Sequence, residues 1–202
     1  VGLRRLPLPA ARPLCRIAAN AGAGMKYRTI VADPPWAYRD KLRIGSGPKH
    51  KGADSQYLTM PLADIKALPV AEWADGDAHL YLWTTNAFMV EGHEVAAQWG
   101  FRPRTILTWV KPRVGLGHYF RNNTEHVLFC VRGSLPTLTT PLRTAYEWPQ
   151  GRHSQKPDAF IDLVEQVSPG PYLEMFARRQ RMGWDTWGNE AFNHVGADRV
   201  PA

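Results

Sequence analysis

Short apolar runs rich in β-branched residues alternate along this chain with segments whose apolar residues recur at helical spacing, and that alternation restricts the fold more than any other feature. Tyr27 to Asp33, Ala78 to Thr84, Arg104 to Val110, Glu125 to Val131 and Tyr172 to Ala177 read as strands. Asn86 to Trp99 reads as a helix with Asn86 as N-cap, Phe88, Met89, Val95, Ala96 and Trp99 facing inward, and Gly100 just past its end. Pro157 to Val167 is a second helix, presenting Phe160, Ile161, Val164 and Val167 on one face, with Ser168-Pro169-Gly170 ending it. A short helix opens near Pro61, and Thr186 to Asn189 reads as an edge element. Strand and helix in turn predict an α/β sandwich around a mostly parallel sheet, as a single domain over residues 25–202.

Residues 1–24 stand apart. They hold Arg4, Arg5, Arg12 and Arg16, no acid, and Pro7, Pro9 and Pro13, so they cannot offer an amphipathic face and are expected to be a basic tail, or an extension of a chain that starts at Met25. The whole sequence of 202 residues carries a formal charge of +7, which favours a polyanionic partner. The positive residues of the domain cluster in two places. Arg39, Lys41, Arg43, Lys49 and Lys51 form one group, and Arg102, Arg104, Lys111, Arg113 and Arg121 form another with no acid between Arg102 and Thr124. The two cysteines, Cys15 and Cys130, lie in unlike settings, which predicts a reducing, cytoplasmic compartment and no metal site. No apolar run approaches the roughly 20 residues of a membrane-spanning helix.

The tetrapeptide Asp33-Pro34-Pro35-Trp36 stands at the carboxyl end of the first strand, where open α/β sheets present their ligand crevices. The exocyclic amine of adenine is a poor nucleophile because its lone pair is delocalised into the ring. A carboxylate and a proline carbonyl accepting from its two hydrogens would favour a tetrahedral nitrogen with that lone pair released. Prolines fix the backbone and should leave the carbonyl free of local competition. A neighbouring Trp or Tyr offers a face on which an extruded base can stack. These residues point to methyl transfer by in-line displacement, with Asp33, Pro34, Pro35 and Trp36 as the catalytic set.

This tetrapeptide is followed in order by Tyr57-Leu58-Thr59-Met60, Leu80-Tyr81-Leu82-Trp83, Thr108-Trp109-Val110-Lys111, Thr124-Glu125-His126, His153-Ser154-Gln155-Lys156-Pro157, Leu173-Glu174-Met175-Phe176-Ala177-Arg178 and Gly183-Trp184-Asp185-Thr186-Trp187-Gly188-Asn189-Glu190. The series resembles the MT-A70 family of S-adenosylmethionine-dependent adenine-N6 methyltransferases. The resemblance implies a Rossmann-like methyltransferase fold in which the catalytic motif precedes the cofactor-binding strand. It implies that Asp33 touches the donor as well as the amine, that Lys156 meets the methionine carboxylate of S-adenosylmethionine, and that Arg178, Asn189 and Glu190 contact the ribose. Tyr57 would line the acceptor pocket. Glu190 stands where the family often has Gln, and Gln180-Arg181 where some members have His-Asn.

Lys41, Arg43, Trp109 and Lys111 are the further candidates for contact with nucleic acid, with a core position an equal alternative for Trp109. Trp83 and Trp99 are assigned to the core. Glu125-His126 reads as a polar pair at a strand start that fixes the basic loop rather than as a general base, since the proton can pass to water after transfer. The expected substrate is DNA, with RNA as the alternative and a non-catalytic partner subunit as the rival of another class. Assembly with a second copy or a related chain is compatible with any of these.

Overall fold

The structure, a computed structural model, describes residues 25–37, 59–115, 119–140, 142–151 and 155–188. Among the site residues expected above, Lys41, Arg43, Tyr57, Asn189 and Glu190 lie outside them, as do residues 1–24 and the basic group around Lys49.

Among the described residues the strands are β1 (Tyr27–Ala32), β2 (Ala74–Thr84), β3 (Arg102–Val110), β4 (Thr124–Arg132), β5 (Ala145–Tyr146), β6 (Tyr172–Met175) and β7 (Trp184–Trp187). The helices are α1 (Leu62–Lys66), α2 (Val70–Trp73), α3 (Met89–Gln98) and α4 (Asp158–Val167). The strands form one seven-stranded sheet in the order β5-β3-β4-β2-β1-β6-β7. The expectation of a mostly parallel sheet holds: β1 pairs in parallel with both β2 and β6, β6 with β7, and β3 with β5. Only β4 runs against its neighbours β2 and β3.

Period-two alternation divides the side chains of these strands between two apolar layers. Ile30, Leu80, Leu82, Leu128, Leu173 and Met175 pack with Ile65, Val95, Ala96 and Trp99 of the α1 and α3 side. Val31, Tyr81, Trp83, Trp109 and Val127 pack with Phe160, Ile161 and Val164 of α4. All four apolar positions expected on the inner face of α4 are buried. Gly92 lets α3 lie close on the sheet, since a Cβ there would come within 3.2 Å of Leu128.

Asn86 is not the cap of α3; it opens a 3-10 turn, Asn86–Phe88, and α3 begins at Met89. Its amide instead meets His126, the Oδ1 accepting from Nε2 at 2.8 Å. The last strand also begins earlier than expected, because Trp184 is a buried residue that stacks on Tyr172.

Candidate active site

The chain leaves β1 at Asp33 and turns through the two prolines, and the Trp36 N–H donates back to the Pro34 carbonyl at 2.9 Å. Met60 returns beside this turn, donating its N–H to the Pro35 carbonyl at 2.9 Å and pairing with Trp36 as an isolated bridge. The expectation that the proline carbonyls escape local competition is therefore corrected, since each already accepts one backbone N–H. A carbonyl oxygen has two lone pairs, so one remains on each for a substrate amine.

Trp36 is corrected as well. The residue is 7% exposed, its ring stacks on Phe88 at 5.4 Å, and its indole N–H donates to the Trp83 carbonyl at 3.2 Å. An indole committed on its face and its nitrogen anchors the turn from within the core and does not offer the base-stacking surface expected of it. Trp109 takes the core alternative: it is 3% exposed, packs edge-on against Trp83, and donates its N–H to the Trp148 carbonyl.

Asp33 faces a cation. Lys156, two residues ahead of α4, places its ammonium 2.8 Å from Asp33 Oδ2, 3.4 Å from Glu125 Oε2 and 5.0 Å above the Trp83 ring. The other oxygen of Glu125 accepts from Lys111, whose ammonium also lies over Trp109. Four charges of alternating sign thus run across the carboxyl ends of β1 and β2 and the adjoining end of β3 and start of β4. Burial works against ionising both Lys156 and Glu125, but opposite neighbours outweigh it. Asp33 and Glu125 hold the Lys156 pKa above its usual value, and Lys156 and Lys111 hold that of Glu125 below. Sequence reasoning had set Glu125 aside as a loop-fixing residue. No local signal marks it: the antiparallel register of β3 and β4 sets Trp109 opposite Glu125 and so brings Lys111 alongside.

Two further features border this row. Glu174 stands opposite Val31 on β6, and burial, with a smaller contribution from Asp33 and opposition from Arg181, pushes its carboxyl up to about 7. Beyond β6 the backbone turns sharply at Phe176, with φ +61°, and Gly188 packs against that turn so tightly that a Cβ would come within 2.8 Å of Ala177. Arg178 follows this turn. Arg179 and Arg181 approach Asp158 in the first turn of α4, which ties the segment after β6 to the segment that carries Lys156.

The MT-A70 family model matches residues 27–190. This chain belongs to the MT-A70 family. It is 32% identical over 181 residues to the type II methyltransferase M.MunI of Mycoplasma sp, an alignment that takes in 82% of this chain and 78% of that protein. It is 28% identical to the human N(6)-adenosine-methyltransferase catalytic subunit METTL3 over 82% of its own length, and 29% identical to a putative MT-A70-like N(6)-adenosine-methyltransferase of Medicago truncatula. It spans only about a quarter of each of these two longer proteins. The Rossmann-like methyltransferase fold expected from the resemblance agrees with the family and the sheet, and its relatives are named as methyltransferases, several of them N(6)-adenosine-methyltransferases.

Proposed function

We propose that this chain transfers a methyl group from S-adenosylmethionine to N6 of adenine in DNA. The observation that carries this reading is the ion pair of Asp33 and Lys156, 2.8 Å apart at the carboxyl end of β1 and beside the diproline turn.

The residues fit the donor. Its methionine end is a zwitterion, and Asp33 with Lys156 supplies the complementary pair: Lys156 would take the carboxylate, and Asp33 the ammonium. Arg181 keeps its Nε buried with no hydrogen-bond partner among the described residues, a donor that a ligand could meet. Arg178 would contact the ribose, and Asn189 and Glu190, by their place in the family motif, would do the same. The donor, when bound, supplies an electrophilic methyl group on a sulfonium. The chain supplies position and polarisation: Asp33 and the spare lone pair of the Pro34 carbonyl accept from the two amine hydrogens and free the nitrogen lone pair. Tyr57, Lys41 and Arg43 would lie on the acceptor side of Asp33.

DNA is favoured because a relative that this chain matches over most of both lengths is named a type II methyltransferase, whereas METTL3 and the Medicago protein, named for adenosine, are matched over only about a quarter. The test is incubation with isotope-labelled donor and matched DNA and RNA oligonucleotides. Label at adenine N6 in DNA is the expected result; label in RNA alone overturns the choice of substrate, and label in neither overturns the activity.

A further inference from the structure

We propose that Lys111 is a positioning residue for the methyl donor, acting through Glu125 on Lys156. This rests on the reading that Lys156 meets the donor carboxylate.

The geometry separates Lys111 from the reacting atoms by two links. Lys111 donates to one oxygen of Glu125, the other oxygen of Glu125 lies 3.4 Å from Lys156, and only Lys156 touches Asp33. With Lys111 in place, Glu125 is neutralised on one side and shares Lys156 with Asp33 on the other. The Lys156 ammonium then stands between two carboxylates, available to a third. Without Lys111, Glu125 keeps its buried charge and, among the described residues, has Lys156 as its only cation. It would draw Lys156 toward β4 and add an uncompensated negative charge close to an incoming carboxylate. The side chains of Lys111 and Glu125 are each only 19% exposed, so water does little to screen this effect. Among the described residues the other titratable groups near Glu125 do not replace Lys111: Asp33 is itself an anion, and His126 points to the opposite face of β4, held between Asn86 and Thr108.

A lysine in the basic run between Arg102 and Thr124 invites the simpler reading that it binds a phosphate. The two readings separate on donor binding in the absence of nucleic acid, measured by calorimetry with S-adenosylhomocysteine. Lys111→Met is expected to weaken binding about tenfold, and Lys111→Arg to restore most of it, because a guanidinium can also donate to Glu125. Adding Glu125→Gln to Lys111→Met should recover much of the loss by removing the uncompensated charge. The single Lys111→Met variant should also bind better as pH falls, since protonating Glu125 has the same effect as the amide. Unchanged donor binding in folded Lys111→Met, checked by thermal melting, overturns the proposal. If that result comes with a higher KM for the oligonucleotide and a shallower salt dependence, Lys111 is a phosphate contact. Lys156→Met tests the underlying reading separately: donor binding that survives it shows that Lys156 does not hold the carboxylate, whatever Lys111 does.

Discussion

Two polar networks lie on the α4 face of the same sheet, and they are built on opposite principles. Near the amino end of α4 is the row Asp33, Lys156, Glu125 and Lys111, made of full charges that are partly open to water. At its carboxyl end, just past the last turn, Ser168 joins a neutral chain that is wholly buried. The hydrogens of that chain are fixed by elimination. The Leu135 carbonyl can only accept, so His79 Nε2 donates to it at 2.9 Å. Nδ1 of the neutral ring must then accept from Ser168 Oγ at 2.7 Å, and Ser168 Oγ in turn accepts from the Tyr81 hydroxyl at 2.7 Å. Burial lowers the His79 pKa and keeps the ring neutral. A closed set of neutral donors and acceptors gives rigidity and has no use for a ligand. An open row of charges, each with capacity left over, can exchange one partner for another, which is what the proposed donor site requires.

Substitutions should divide along the same line. Asp33→Asn keeps the shape of the side chain but replaces an acceptor with a mixed donor and acceptor. Methyl transfer, followed as label in adenine, is expected to fall by about 10³-fold with little change in melting temperature. Ser168→Ala should do the reverse. It leaves His79 Nδ1 and the Tyr81 hydroxyl without their partner and is expected to cost about 2–3 kcal/mol in denaturant unfolding, with kcat unchanged at a temperature where the variant is folded. Transfer lost in Ser168→Ala at full stability would break the division. Glu174→Gln should give an effect that depends on pH. The folded carboxyl titrates near 7 and an unfolded one near 4.3, so between those values the folded state binds more protons and stability drops as pH rises. The variant lacks that loss, so it should melt higher than the parent at pH 8, with the gap closing as the pH approaches 4; a gap constant across that range would show that Glu174 is not the titrating group.

Much of the scaffold was legible in the sequence because its signals are local. Phe160, Ile161, Val164 and Val167 show the inner face of α4 by spacing alone, and Gly100, with φ +82°, marks the end of the α3 segment. The reversed direction of β4 has no local signature, since Val127 to Val131 would suit a parallel strand equally well. The site divides in the same way. Asp33 could be read from its position at a strand end. The part played by Glu125 could not, because its partners Lys111 and Lys156 are brought to it by strand pairing and by the placement of α4. Trp36 misled for the opposite reason: beside a functional aspartate an aromatic residue suggests a stacking surface, and only packing against Phe88 shows that this face is already taken.

The bond from the Met60 N–H to the Pro35 carbonyl has one more consequence. It fastens Met60 to the diproline turn through the backbone, beside the bond that Trp36 N–H makes to the Pro34 carbonyl, so neither bond depends on a side chain. A substitution of the Met60 side chain should therefore leave the turn, and the lone pair that each proline carbonyl keeps, as they are.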